Sequence, residues 1–470
     1  MPCALEGRGG LPGDGVLDLV RSGRGEHPEH QVDQEAQERQ PQDFAEHADH
    51  DAEEPEDQLQ RHPGHDGQHG KPDQVAEHAI FPQRKSDVVA STVDVPESFV
   101  TGSVTQLYDV IVVGGGPVGA ACARELANTG RKVLLLERDG DEGEGWRAAA
   151  GMLAAQSGSH GEDPLFELGM AGRELLVELA PALQASTGID IGLWQEGITR
   201  LAVDDADAAY LRAQVAWQRQ KGHACDWFDA AEVKARWPWM GPSSGALWAA
   251  RDAALHPGRL VEALTQDAVR LGTTVIQDRV SAVERRGDRV TGVVGRESYA
   301  AADVIVAAGP WSRLVGGMPR PLAVEPIRGQ MAALAWPEGV PRSIVLGRGC
   351  YLANRDGEAI VGSSMEHAGF APEVTAAGLA DLFTGVSALC PALARGEVLR
   401  TWAGLRPVTP DGLPIIGREP RLSGLWYATG HGRNGVLLAA ITGVVLARLL
   451  NGENEIEHLA ALRPERFYNW

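Results

Sequence analysis

The sequence is poor in cysteine, in basic clusters and in long apolar runs. Five cysteines occur among 470 residues and none lies in a Cys-x-x-Cys pair, so no disulfide framework is expected and a reducing cytoplasm fits. No basic stripe is available to release counterions from a nucleic acid. The best apolar run, at 436–450, is broken by Thr442, Gly443 and Arg448. We therefore expect a cytoplasmic protein without a signal peptide, membrane span or nucleic-acid partner.

The negative charge is concentrated in the first hundred residues. They hold 22 of the acidic and 8 of the basic side chains, whereas the whole chain has a net charge of -21. Eight of the fourteen histidines also lie there, but their irregular spacing gives no preorganised ligand set, so no metal site is predicted. Residues 1–106 are predicted to be a disordered acidic, Gln- and His-rich tail. The abrupt change near Val104 leaves open that the native chain begins nearer residue 100.

The first organised motif is at 108–139, YDVIVVGGGPVGAACARELANTGRKVLLLERD. A strand at 109–113, a glycine-rich turn, a helix at 120–127 and a second strand at 132–136 follow one another. This order is typical of a dinucleotide-binding unit. Since 470 residues suffice for two to three domains, the unit accounts for only part of the chain.

Three glycines of this motif have the spacing Gly-x-Gly-x-x-Gly. Gly114 allows the tight turn, Gly116 lets the backbone approach a pyrophosphate at the helix N-terminus, and Gly119 allows close packing of helix and strand. Glu137, at the end of the second strand, is placed to accept hydrogen bonds from a ribose. A purely structural turn is the alternative, and the flanking strand and acid favour the dinucleotide.

A third glycine-marked strand, DVIVAAGPWS at 303–312, comes much later in the chain. The nucleotide domain is therefore predicted to be assembled from separated pieces, which favours FAD. A nicotinamide-linked dehydrogenase, with a self-contained nucleotide unit, is the alternative.

Four further stretches are AAAGMLAAQ (148–156), YLANRDGEAIVGSSMEHAGF (351–370), WAGLRPVTPDGLPIIG (402–417) and WYATGHGRNGVLLAAITG (426–443). Together with the glycine-rich loop they resemble the D-amino-acid-oxidase superfamily, and within it the glycine oxidases of thiamine biosynthesis. The resemblance runs in order from about residue 107 to about residue 462. It implies an α/β fold in which an FAD-binding Rossmann-like domain of the GR2 type is interleaved with an α+β substrate domain. The substrate domain would be built on a mixed, mostly antiparallel sheet.

The implied FAD domain comprises residues 107–190, 256–318 and 400–462, and the implied substrate domain residues 191–255 and 319–399, followed by a tail at 463–470. Local patterns agree with this division. Strands are predicted at 197–204 and 245–255, helices at 205–221 and 256–272, and a strand pair at 280–294. Asp205 or Asp207 is the expected N-cap of the helix at 205–221.

Arg406, in the stretch GLRP, matches the carboxylate-binding arginine of the family. Its planar guanidinium can donate two parallel hydrogen bonds to a carboxylate, whereas the alternative is a surface ion pair. Tyr351 matches a tyrosine that lines the substrate pocket and orients the carboxylate. For Tyr351 the alternative is a buried core tyrosine with a satisfied hydroxyl.

The stretch TGHGRNGVLLA, at 429–439, places three glycines directly before an apolar helix predicted at 436–449. Glycines let the backbone approach a flat ring, and the helix N-terminus would direct its N-H groups at the pyrimidine edge of a flavin. Arg433 corresponds to a family arginine over the active site, with a solvated turn residue as the alternative. His431 is interpreted as a structural, hydrogen-bonded histidine and not as a base.

Gly151 and Met152 match the family's loop beside the isoalloxazine ring. Met152 would form an apolar wall that favours a small substrate, although a methionine is more often part of a core. The resemblance implies further cofactor contacts from Pro117, Val118, Arg138, Ala149, Ala150, Val280, Gly309, Asn434, Gly435, Val436 and Leu437.

Some positions depart from the family pattern. Ala353, Asn354 and Ala440 stand where an apolar residue and two prolines are usual, and Gly432 replaces a larger residue, so the pocket is predicted to be wider. No cysteine lies near 404–412 to tether the flavin, as one does in sarcosine oxidases. Non-covalent FAD is therefore expected.

The implied activity is oxidative deamination of glycine by hydride transfer to flavin N5, with dioxygen as the second substrate. Its products would be an imine or glyoxylate, ammonia and hydrogen peroxide, and its place would be the thiazole branch of thiamine biosynthesis. A homotetramer is also implied. A sarcosine or D-amino-acid oxidase or dehydrogenase, and a scaffold that has lost catalysis, are the alternatives.

Overall fold

The computed structural model describes residues 107–140, 143–453 and 459–468. The predictions made for the acidic stretch at 1–106 lie outside these residues. Eighteen strands and eight α-helices are present in the described part of the chain.

The strands are β1 (Tyr108–Val113), β2 (Val133–Glu137), β3 (Met152–Leu153), β4 (Ile198–Ala202), β5 (Asp226–Asp229), β6 (Gly245–Ala249), β7 (Ala253–Ala254), β8 (Thr274–Gln277), β9 (Ala282–Arg286), β10 (Arg289–Val294), β11 (Ser298–Val306), β12 (Glu325–Ala335), β13 (Ile344–Gly347), β14 (Cys350–Arg355), β15 (Glu358–Gly362), β16 (Val398–Val408), β17 (Ile415–Arg418) and β18 (Leu425–Thr429). The α-helices are α1 (Pro117–Asn128), α2 (Gly145–Ala148), α3 (Pro164–Thr187), α4 (Asp205–Gln220), α5 (Ala230–Arg236), α6 (Pro257–Arg270), α7 (Ala376–Leu389) and α8 (Ala439–Leu450). Short 3-10 helices lie at Gly309–Leu314, Pro391–Arg395, Gly432–Asn434, Leu459–Leu462 and Pro464–Phe467.

The first sheet has the order β17-β18-β11-β1-β2-β8, and β9 and β10 extend it through β11. Strands β18, β11, β1, β2 and β8 run parallel. Side chains of β1 alternate between two apolar clusters: Val110 and Val112 belong to one, and Tyr108, Ile111 and Val113 to the other. Both faces of β1 are therefore buried from Val110 to Val113, which explains why these four residues are all apolar, whereas Asp109 is exposed.

The second sheet has the order β16-β12-β15-β14-β13-β4-β6-β5. Its pairs are antiparallel except that β4 runs parallel to β13. The predicted α/β fold with a mixed, mostly antiparallel second sheet is thus confirmed. The chain passes repeatedly between the two sheets; the boundaries of the two domains stay a prediction.

Helix α1 packs against α6 and α8 on one face of the first sheet. The contact with α8 is close because position 443 is glycine: a Cβ there would lie 2.7 Å from the Ala121 carbonyl oxygen of α1. None of the helices in the described ranges has the length and apolar character needed to cross a membrane. The cysteines of these ranges, Cys122, Cys225, Cys350 and Cys390, are free and buried.

Helix ends differ from the sequence-based expectations at three places. Helix α1 begins at Pro117, since proline fits the first helical position, where its missing N-H is not needed. The predicted N-cap of α4 was wrong: Asp204 is the cap, and its carboxylate accepts a hydrogen bond from the Asp207 amide at 2.8 Å. Helix α8 begins at 439 and not at 436, because a 3-10 turn and a further turn occupy 432–438.

Substitution of Gly443 by alanine is expected to lower the free energy of unfolding by about 1–3 kcal/mol, because the new methyl group overlaps the α1 backbone. Urea denaturation followed by circular dichroism measures the change. Gly161→Ala is the control, since a Cβ at Gly161 meets no atom within 4 Å. Equal stability of the two variants would contradict the close α1 and α8 contact.

Candidate active site

A cavity of about 900 Å³ extends from the glycine-rich loop to the second sheet. It is at the upper end of the range for small-molecule sites. All the predicted site residues line it except two, Gly119 and Leu437. Gly119 packs against the loop behind the cavity wall, and the Leu437 backbone lies against Gly172 of α3.

The glycine-rich loop has no room for side chains. Gly114 has a φ of 106°, and a Cβ there would lie 2.6 Å from the Ala307 carbonyl oxygen at the end of β11. A Cβ on Gly119 would lie 1.8 Å from the Gly114 oxygen. Gly116 is the N-cap of α1 and offers no side chain to cap it. The first-turn amides of α1 are therefore left to bind an anionic group such as a pyrophosphate.

Two charged side chains follow at the end of β2. The Glu137 carboxylate accepts a hydrogen bond from the Gly115 amide, and burial raises its pKa above the ordinary value. Arg138 pairs with Glu144 at 2.6 Å, and its guanidinium lies 3.6 Å above the Trp311 ring. These contacts build a charged and aromatic wall beside the loop.

The turn at 429–436 reaches the cavity through backbone and one cation. Gly435 and Val436 line the cavity, so the backbone that follows the 3-10 turn at Gly432–Asn434 adjoins it. Gly432 has a φ of 54°, and a Cβ there would meet no atom within 4 Å. Backbone conformation, and not crowding, is thus what favours glycine at 432, and open space adjoins it.

His431 lies beneath this turn and is buried. Its Nε2 is 3.1 Å from the Thr442 hydroxyl, and burial lowers its pKa to about 3. The ring is therefore neutral at physiological pH and engaged in a structural hydrogen bond, in keeping with its interpretation from sequence.

Arg433 projects from the turn with its side chain exposed to the cavity. Its Nη2 donates to the Gly158 carbonyl oxygen and lies 3.0 Å from His160 Nε2. Its pKa is lowered first by burial among the surrounding walls and then by Arg200 and Arg406. Three guanidinium groups thus share one region of the cavity.

Arg406 lies on β16 and crosses toward β12. Its guanidinium donates to the Ser364 carbonyl oxygen at 3.1 Å and to the Ser363 hydroxyl, and burial lowers its pKa. No carboxylate of the described residues lies within ion-pair distance of it. Gly329 of β12 makes room, because a Cβ there would lie 2.1 Å from Arg406 Nη1. An enclosed guanidinium without a countercharge is suited to bind an anionic ligand.

Tyr351 on β14 and Met152 on β3 form the apolar side of this region. The Tyr351 hydroxyl donates to Met331 Sδ at 3.2 Å, and burial raises its pKa to about 12. The phenol is therefore protonated at neutral pH and can donate to a ligand. Met152 is half-buried and packs in the same apolar cluster as Tyr351.

Sequence reasoning missed Arg200, Trp311, Gly329 and the loop at 157–160. Arg200 lies on β4, and its Nη1 donates to the Ser157 carbonyl oxygen at 3.2 Å. No motif marked it, because it is one polar residue in a strand that was predicted only from its alternation. Its position depends on contacts between segments far apart in the chain, and these leave no local pattern.

A buried ion pair holds the loop at 157–160. Arg173 and Asp252 are both fully buried, and Arg173 Nη1 lies 2.7 Å from Asp252 Oδ1. Asp252 Oδ2 accepts hydrogen bonds from the Ser157 amide and hydroxyl, each at 2.7 Å. The carbonyl groups to which Arg200 and Arg433 donate are therefore held by a fixed network.

Comparison with known proteins gives a family. A model of the FAD dependent oxidoreductases matches residues 109–449. The glycine oxidase of Geobacillus kaustophilus is 32% identical over 365 residues, which are 76% of this chain and 96% of that protein. The bifunctional protein ThiO/ThiG of Trichormus variabilis is 31% identical over 76% of this chain and 55% of its own length. The crystal structure of the Geobacillus kaustophilus enzyme superposes with a TM-score of 0.72 at 32% identity, covering 77% of this chain and 99% of that one.

Substitution of Gly114 by alanine is expected to lower the flavin content of the purified protein by about tenfold or more. The methyl group adds crowding against Ala307 to the strain of a positive φ. The ratio of flavin to protein absorbance measures the loss. Gly130→Ala is the matched control, because its φ is 82° but no atom lies within 4 Å of its Cβ. Full flavin content in Gly114→Ala would exclude the loop as the cofactor cradle.

His431 is expected to make stability depend on pH. Its pKa is lowered from 6.5 to about 3, so its contribution is fully present above pH 6.5 and is lost as the pH falls toward 3. Between pH 6.5 and pH 5 the loss is about 2 kcal/mol. Urea unfolding of the wild type should therefore weaken more over this interval than that of His431→Asn. Parallel pH dependences of the two proteins would show that the histidine is not buried in its neutral form.

Proposed function

Because the chain belongs to the family of FAD-dependent oxidoreductases, we propose that it oxidises glycine, and other small primary or secondary amino acids, at the carbon next to the carboxylate. It is an amino-acid oxidase of this family, and FAD is its cofactor, as the glycine-rich loop and the separated third strand predicted. The main support for glycine-type substrates is Arg406. It is an enclosed guanidinium with no carboxylate partner among the described residues, and it lies beside the protonated phenol of Tyr351.

The cavity fits FAD. The crowded Gly114 and the uncapped N-terminus of α1 leave space and N-H donors for a pyrophosphate. Glu137 lines the cavity, where its carboxylate would accept hydrogen bonds from the hydroxyl groups of a ribose, and the backbone of Gly435 and Val436 also lines the cavity and would be available to a flavin ring. FAD, when bound, would supply the acceptor for the α-hydrogen, as hydride at N5, and a route for the two electrons to dioxygen. Binding without a covalent link is part of this proposal.

Substrate positioning falls to this chain's own side chains. Arg406 donates two N-H groups to the carboxylate, and the Tyr351 hydroxyl, in exchange for its contact with Met331 Sδ, donates a third hydrogen bond that fixes its orientation. Met152 closes the apolar side and so limits the size of the α-substituent. No side chain is required to remove a proton once the amine is neutral, which agrees with the engagement of His431 by Thr442.

The overall reaction balances as glycine plus dioxygen plus water giving glyoxylate, ammonia and hydrogen peroxide. Two electrons and two protons leave the carbon-nitrogen unit and reach dioxygen. The resulting carbon-nitrogen double bond is then broken by addition of water.

We further propose that the imine serves thiazole formation. This is supported by the similarity to a bifunctional ThiO/ThiG protein, of which the matched part is 55% of the length.

Oxidation of sarcosine or a D-amino acid is the second candidate. The open space beside Gly432 favours it, because a larger amine would find room there. A cytoplasmic location and a homotetramer complete the proposal.

Anaerobic addition of glycine is expected to bleach the visible flavin spectrum of the purified protein, and air is expected to restore it with formation of peroxide. A flavin spectrum that glycine leaves unchanged, while sarcosine or a D-amino acid bleaches it, would replace glycine by the second candidate.

In Arg406→Gln the kcat/KM for glycine should fall by about 30-fold or more, corresponding to roughly 2–5 kcal/mol for loss of one partner of an enclosed charge pair.

Arg400→Gln is the matched control for this variant. Arg400 lies on the same strand, but it is exposed and pairs with Glu358 at 2.5 Å, a contact that contributes about 0–1 kcal/mol. The flavin content of both variants should equal that of the wild type. Unchanged glycine kinetics in Arg406→Gln would remove Arg406 from the substrate site.

A further inference from the structure

Arg200 places a further positive charge in the cavity. This charge is not needed to bind a single carboxylate. It lines the cavity together with Arg406 and Arg433. Both Arg200 and Arg406 lower the pKa of Arg433, and of the two Arg200 has the larger effect. None of the three guanidinium groups forms an ion pair with a carboxylate of the described residues. Their partners there are carbonyl and hydroxyl oxygens, one imidazole nitrogen and, for Arg200, the Tyr210 ring at 5.6 Å.

Two carboxylates of this region, those of Asp163 and Asp207, accept hydrogen bonds from backbone amides. Asp163 is the N-cap of α3 and accepts a hydrogen bond from the Phe166 amide at 2.9 Å. Asp207, at the cavity wall, accepts one from the Val203 amide at 3.0 Å. Asp163 raises the pKa of Arg433, but it lies beyond ion-pair distance, so the region keeps an excess of positive charge.

His160 supports Arg433 as a neutral group. Its pKa is lowered by burial and further by Arg433 and Arg200. The unprotonated Nε2 can therefore accept the hydrogen bond from Arg433 Nη2 at 3.0 Å. This contact holds the guanidinium in place but supplies no countercharge.

Arg200 and Arg433 are held by one loop. Arg200 donates to the Ser157 carbonyl oxygen, and Arg433 donates to that of Gly158. The buried Arg173 and Asp252 pair fixes this loop through Ser157. The two cations are thus preorganised as a pair, and the loss of side-chain freedom on binding an anion is small.

We propose that Arg200 and Arg433 bind a second carboxylate of the substrate, so that the preferred substrate is an amino acid with two carboxylates. Arg406 and Tyr351 hold the carboxylate next to the reacting carbon, and the second carboxylate lies against the paired cations. This inference rests on the proposed oxidase function. The second carboxylate is carried either on the amino nitrogen, as in iminodiacetate, or on the carbon chain, as in aspartate.

The reaction of the nitrogen-linked form balances as iminodiacetate plus dioxygen plus water giving glycine, glyoxylate and hydrogen peroxide. One carbon-hydrogen and one nitrogen-hydrogen bond are lost, and their two electrons reduce dioxygen. Water then adds to the carbon-nitrogen double bond, which breaks to release glycine.

The first test measures binding without turnover. Oxydiacetate and methoxyacetate share an ether skeleton and differ in one carboxylate, and neither carries an oxidisable amine. Titration of the FAD-loaded protein, followed by the flavin absorbance, is expected to give at least about tenfold tighter binding of oxydiacetate, the scale of one charge-assisted contact. Equal affinities would overturn the proposal.

Variants assign this preference to Arg200. Arg200→Gln keeps an N-H donor toward the loop but removes the charge, and it should reduce the preference for oxydiacetate to less than about threefold. Arg200→Lys keeps the charge and should retain more of the preference for oxydiacetate than Arg200→Gln does. Arg212→Gln alters an exposed arginine on α4 that does not line the cavity, and it should retain the full preference. Flavin content and circular dichroism verify folding, and a full preference in folded Arg200→Gln would overturn the assignment.

Turnover separates this inference from the proposed function. The ratio of kcat/KM for iminodiacetate, or for either enantiomer of aspartate, to that for glycine should fall by about tenfold in Arg200→Gln. The better of these substrates identifies where the second carboxylate is carried. If glycine bleaches the flavin but the dicarboxylates neither bind more tightly nor react faster, the inference fails and the oxidase function stands. If oxydiacetate is preferred but no amino acid bleaches the flavin, the oxidase function fails and the second anion subsite stands.

Discussion

The site depends on the close approach of three backbone segments at the start of α1. Gly119 lies so near Gly114 that a Cβ would reach 1.8 Å from its oxygen, and Gly114 in turn lies against Ala307 at the end of β11. This contact sets the distance between β1, β11 and the helix that follows. Because the parallel strands end at the same edge, it also opens the cavity there and directs the first amides of α1 into it. Any side chain at these positions would move the helix and close the cradle.

A second, independent constraint organises the opposite end of the cavity. Arg173 and Asp252 are fully buried, and each would be costly to leave unpaired, so their mutual contact and the hydrogen bonds from Ser157 are mutually dependent. The loop that they fix carries the acceptors for Arg200 and Arg433. The end of the cavity at the glycine-rich loop is therefore shaped by the absence of side chains, and the end at Arg200 and Arg433 by a polar network buried behind it.

The sequence predicted what is local and missed what is assembled over long distances. The order strand, turn, helix and strand around Gly114 follows from apolar periodicity and glycine spacing, so β1, α1 and β2 agree with expectation within a few residues. Arg406 and Arg433 both line the cavity, and they were singled out only through the resemblance to a family, since the local sequence around one arginine does not distinguish a ligand-binding residue from a surface ion pair. Arg200 and Gly329 were missed because their significance appears only when β4, β12 and β16 are adjacent. The start of α8 was misplaced because the apolar run continues through a turn that backbone geometry, and not hydropathy, defines.

The cavity attracts anionic groups with two kinds of positive group, which differ in charge and in how they are held. The positive groups are divided between two places, with backbone amides at the start of α1 and the guanidinium groups of Arg200, Arg406 and Arg433 at the other end of the cavity. Amides contribute partial charge at no cost in side-chain ordering, whereas guanidinium groups contribute full charge but must be fixed by neighbours. The guanidinium groups here are held by carbonyl and hydroxyl oxygens and by the neutral imidazole of His160, which align them without neutralising them. The chain therefore keeps its cations oriented and uncompensated, and a carboxylate that enters gains electrostatic attraction with little reorganisation of the protein.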